Sequence, residues 1–342
     1  MAPTTRSSST GSLERVPEDA TVAARDESRG RTMAAKRGAR GGGGGGGGGG
    51  GVVSCGKFAF PLLVVASFCL ASWGYSLVGE VSGGRLAAVS RSQESGGEIA
   101  VLVGWRMLEL GLAWFGGLRA LDVAMLDLLA HGPLFYLQAT FYSLGVKTAA
   151  SALLVDVLSA SLPFHLLRPP TNHHHSSPPD LQLHLYTTAL ASSIYTITIA
   201  LSQRLLLPRI LALHFRGLAT LEPAYAASYT AVLPATAVFG AAAAAFIYVP
   251  SSTTTGDDAQ ALDPVTASLG ETLRWNLWGY SSRTKLVVRR TCLVMLLVAG
   301  NTYLSCTRGL YGVEAHGALV YAAVWVGAAA CTGLALGLVG GV

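Results

Sequence analysis

Residues 274–307 read RWNLWGYSSRTKLVVRRTCLVMLLVAGNTYLSCT. The stretch opens on Trp275, Trp278 and Tyr280, passes Arg283, Lys285, Arg289 and Arg290, and then runs from Thr291 to Leu304 without a charge. Amphipathic rings prefer the headgroup level, and cations do not cheaply follow a chain into hydrocarbon. The order therefore reads as a membrane-interface belt feeding a membrane span.

Composition extends that reading to the whole chain. Of 342 residues, 51% are apolar and only 13% charged, about half the charge of a soluble globular chain. The apolar residues fall in long blocks, as bilayer-crossing helices require. Outward from the decisive stretch, the candidate spans are residues 58–78, 99–118, 134–162, 181–201, 225–249, 286–306 and 315–339. Segment 99–118 is marginal, because Arg106 and Glu109 sit near its centre. Each would cost about 2.5–3.5 kcal/mol at mid-bilayer, although their spacing lets them pair on one helical face. Arg119, Asp122, Asp127 and His131 read as a polar connector, with Pro133 opening the next helix at a tolerated first-turn position. Residues 204–222 read as a helix end or an in-plane amphipathic helix.

Residues 1–56 form a separate Ser/Arg/Gly-rich tail, expected to be disordered because it cannot bury enough apolar surface to offset its ordering entropy. Through residue 57, nine cations (Arg6, Arg15, Arg25, Arg29, Arg31, Lys36, Arg37, Arg40, Lys57) face five acids (Glu14, Glu18, Asp19, Asp26, Glu27). Such a tail can attract anionic lipid. Nucleic acid is not an expected partner, since the cations are not interleaved with aromatics and no binding fold follows. The expected partners are the lipid bilayer and a membrane-protein partner or a second copy of the chain. Sidedness stays open: counting seven spans puts the cations at 204–216 and at 283–290 on opposite sides, and six spans leaves the same conflict.

Chemistry is harder to find. The five cysteines lack metal-ligand spacing. His173–His175 lies in a Pro/Ser loop without a carboxylate set, and no HExxH, G-x-S-x-G, P-loop or dinucleotide fingerprint occurs. No catalytic residue, metal site or cofactor is therefore expected, and the balance leans against an enzyme. An ionisable residue inside a span is a binding or relay candidate by default. Lys147, Asp156, Arg106 and Glu109 are the substrate-binding candidates. Against them stands a structural reading, in which such charges pair off to hold helices together. The hydroxyl stripe Thr188, Ser192, Tyr195, Thr196 and Ser202, Asn301 and the terminal Gly333-x-x-x-Gly337 pattern read as interhelical contacts.

The sequence thus predicts an all-α polytopic transmembrane bundle of six or seven spans, residues 57–342, behind the disordered tail. Its leading functional class is a non-enzymatic membrane-organising protein or complex subunit. A small-solute or ion transporter using Lys147 and Asp156 is the alternative, and a lipid-modifying enzyme the third.

Overall fold

The computed structural model describes residues 58–93, 95–168, 181–248 and 282–340. The basic tail and Trp275, Trp278 and Tyr280 lie outside the described residues. In chain order the helices are α1 (Ala59–Ser82), α2 (Arg85–Val89), α3 (Gly96–Phe115), α4 (Ala120–Phe141), α5 (Val146–Leu167), α6 (Leu181–Leu205), α7 (Leu207–His214), α8 (Glu222–Tyr225), α9 (Tyr229–Ile247), α10 (Ser282–Gly309) and α11 (Ala315–Gly340). Among the described residues, strand geometry is confined to two isolated bridges, Ser90–Leu310 and Phe215–Val313. Seven helices among the described residues, α1, α4, α5, α6, α9, α10 and α11, are long and apolar enough to cross a membrane. Helices satisfy their own backbone groups, as hydrocarbon demands. This is a multi-pass integral membrane protein.

The chain reverses at two ends of one bundle. At the first end, Phe60 of α1 packs on Trp114 and Phe115 of α3. Arg168, just past α5, donates to the Trp114 carbonyl there, and Arg290 of α10 lies 3.6 Å from Asp122 of α4. At the second end, Arg308 of α10 bonds Glu98 of α3. His214 bonds Glu314 there, and the Phe141 carbonyl accepts from Ala219. Short α7 and α8 cover this second end between α6 and α9.

Packing follows the small residues. Gly240 of α9 lies on the Ser192 backbone of α6, and Gly300 of α10 on the Trp105 ring, so a Cβ at either position would collide. Trp325 of α11 joins the centre, with Tyr136 at 5.5 Å and Phe239 at 5.2 Å between ring centroids. Buried hydroxyls and amides bond across helices: Thr196 to Thr236, Ser192 to the Ala237 carbonyl, and Asn301 to the Ala130 carbonyl. Gly333 lies against the Thr291 side chain. Leu62, Val65, Leu154, Ile197, Leu296 and Leu334 point outward, which suits a lipid-facing surface.

Two expected spans are redrawn. Segment 134–162 is two helices, broken at 142–145 where Ser143 takes φ +55° and the Gln138 carbonyl accepts from both Tyr142 and Leu144. The first of these, α4, begins at Ala120. It absorbs the expected connector, and Pro133 lies inside it rather than at its start. The reason is tertiary: Asp122 and Asp127 find cationic partners on other helices, Arg290 and Arg106, and His131 lies on Asp127, so the segment can be buried. Residues 99–118 fall largely in α3, which is long enough but is not among the helices apolar enough to span, because it carries Glu98, Arg106 and Glu109. It runs between the two ends beside them, which its charges permit because they face inward.

Candidate functional site

Four helices place polar side chains at one point. Arg106 lies ten residues into α3 and Asp156 ten residues into α5, about 15 Å from either helix start and so near the middle of a hydrocarbon core. On α3, Trp105, Arg106 and Glu109 share a face through i, i+3 and i, i+4 spacing. Asp127 and His131 on α4 do the same at i, i+4, and Asp156 and Ser159 on α5 at i, i+3. Tyr75 arrives from α1.

Arg106 is the hub. Its Nη1 lies 2.8 Å from Asp127 Oδ1 and 3.2 Å from Glu109 Oε2. Its Nη2 reaches the Asp156 carbonyl and Ser159 Oγ, each at 3.3 Å. Trp105 Nε1 donates to Glu109 Oε1 at 2.9 Å, and the Tyr75 hydroxyl donates to Asp156 Oδ1 at 2.8 Å. His131 Nδ1 faces the Asp127 carbonyl at 3.2 Å and Asp127 Oδ1 at 3.4 Å. Glu109, Asp127 and Asp156 are only 5%, 6% and 9% exposed.

The charges do not balance. Three buried carboxylates face one permanent cation, Arg106, and one histidine that is charged only when protonated. With all three acids ionised, the cluster carries −2 beside a neutral His131 and −1 beside a protonated one. Isolated charge in low dielectric is too costly to persist, so protons or a bound cation must make up the difference. Asp127 Oδ2 is buried and has no hydrogen-bond partner. It adjoins a small cavity lined by Glu109, Asp127, Leu110, Ala130, Ala160 and Leu297. One ligand atom from each of Glu109, Asp127 and His131 lies within 4.8 Å of the others.

The sequence candidates divide. Arg106, Glu109 and Asp156 converge here. Lys147 is exposed in the first turn of α5, a position where the helix dipole disfavours a cation. Of the expected interface residues, Lys285 and Arg289 are exposed at the first end. Arg290 is half-buried there, stacked on Phe246 and donating to its carbonyl. The side chain of Arg283 lies outside the described residues. Asp122 serves that end, pairing with Arg119 and Arg290. Sequence reasoning did not place Tyr75, Trp105, Asp127, His131 or Ser159 in a site. The signal available was the i, i+4 spacing of Asp127 and His131 immediately before an apolar run. Comparison with family models, curated proteins and solved structures finds no match to this chain.

Proposed function

We propose that this protein carries a small cation across the membrane, with the Glu109–Asp127–Asp156 cluster as the point where the ion is held. The observation that carries the reading is the excess of acid over fixed positive charge at mid-depth. A cluster serving only to join helices needs balanced pairs, which would take two further fixed cations here. An acid-rich centre instead needs a counter-ion from outside, which is what a translocation site requires. Tyr75, Trp105 and Ser159 hold the side chains in place, as neighbouring donors do for functional carboxylates.

The test is flux into proteoliposomes loaded with a pH dye in one preparation and a metal-sensitive dye in another. Wild-type protein is expected to carry protons or metal ions. Glu109→Gln and Asp156→Asn are expected to reduce the rate by about tenfold or more, while Lys147→Ala leaves it within about twofold. Absence of any cation flux through the wild-type protein, or full flux through both carboxylate variants, overturns the proposal.

A further inference from the structure

We infer that the cation is a divalent first-row transition ion, bound by Glu109, Asp127 and His131; this rests on the cluster being a cation site. Three features support it. The first is the donor set. One imidazole and two carboxylates suit a borderline divalent metal better than calcium or magnesium, which prefer oxygen alone. The second is the orphan atom: Asp127 Oδ2 is buried beside the cavity without a partner, although buried carboxylate oxygens are nearly always bonded. The third is charge. Three carboxylates, Arg106 and one divalent ion sum to zero with His131 neutral, which is the form that ligates.

The geometry is close to closure. Tetrahedral ligands about 2.1 Å from one ion stand about 3.4 Å apart, so atoms within 4.8 Å of one another need to approach by up to about 1.4 Å, within reach of side-chain rotation. His131 faces Asp127 through Nδ1, 3.2 Å from its carbonyl and 3.4 Å from Oδ1, and one of its ring nitrogens lies within 4.8 Å of the Glu109 and Asp127 oxygens. Arg106 occupies one oxygen of each carboxylate, and Trp105 holds the other Glu109 oxygen. Each carboxylate oxygen retains a second lone pair. These neighbours orient the ligands rather than block them.

The experiment titrates Co2+ into the full chain in micelles, with His173–His175 replaced by serine so that the loop contributes no site. The expected result is one Co2+ per chain with visible ligand-field absorption, displaced by Zn2+ and not by Mg2+. Asp127→Asn and His131→Gln are each expected to weaken binding by at least about tenfold. Wild-type melting, which needs no variant, is expected to rise with Zn2+ and not with Mg2+. Absence of stoichiometric Co2+ binding, or binding unchanged in both variants, overturns the inference. Proton flux lost in Glu109→Gln but unaccompanied by Co2+ binding overturns the metal and leaves transport standing. Co2+ binding without any cation flux overturns transport and leaves the metal site.

Discussion

Arg106 carries more of this molecule than any other side chain. It touches Glu109, Asp127, Ser159 and the Asp156 backbone, so its loss strands the buried Glu109 and Asp127 carboxylates. Arg106→Ala is expected to destabilise the bundle by about 3–5 kcal/mol, the cost of breaking a buried pair from one side. Arg106→Lys should recover part of this, since it keeps the charge and loses the fork; denaturant unfolding in micelles measures both. A second titratable pair sits outside the membrane. The hydrogen bond from His214 holds the Glu314 carboxyl below the ordinary glutamate range. A depressed acid contributes stability above its unfolded pKa and loses it as pH falls through the folded value. Wild-type melting should therefore fall more steeply under acid than that of Glu314→Gln, by a small margin because the group is exposed. At this scale the sequence showed Arg106, Glu109 and Asp156 and missed the other side chains of the centre. Arg106 and Glu109 pair at i, i+3 within one segment, whereas Asp127 meets Arg106 across 21 residues, a contact no local spacing reveals.

Helix α4 shows why element boundaries were misread. Its charges look like a connector by local hydropathy, yet it is the most buried of the candidate spans, because other helices supply its partners. Pro133 inside it removes one backbone donor, and the proline's own carbonyl is satisfied by the Tyr321 hydroxyl at 2.7 Å. The break at 142–145 depends on Ser143 in a left-handed conformation, which serine rarely announces. Helices α1, α6, α9, α10 and α11 were legible, because long apolar runs mark them without tertiary help. Their close crossings make a sharp prediction. Gly240→Ala should cost about 1–3 kcal/mol, since the added methyl meets the Ser192 backbone, which has little room to move. Gly104→Ala meets open space within 4 Å and should be neutral or stabilising by up to about 1 kcal/mol, from helix propensity alone. Thermal unfolding of the two variants side by side checks the contrast.

For the molecule as a whole, the antiparallel order settles which loops share a face. Arg119, Arg168 and Arg290 belong to one end, and Arg85, Ser143, Arg216 and Arg308 to the other. Impermeant thiol labelling in a background lacking the five native cysteines should tag Arg168→Cys and Ser143→Cys from opposite sides; labelling of both from the same side would refute the order. Counting cations could not orient the chain, because both ends hold them and several are paired: Arg91 and Arg308 share Glu98, and Arg119 sits on Asp122. Membrane class was legible in bulk composition. The acid-rich centre was not, since its members come from four helices. That centre is tested most directly by the infrared difference spectrum of the full chain on adding Zn2+. The expected result is a shift of carboxylate stretching bands that disappears in Glu109→Gln and Asp127→Asn. A spectrum without carboxylate bands, or one identical in wild type and both variants, would contradict a cation held there.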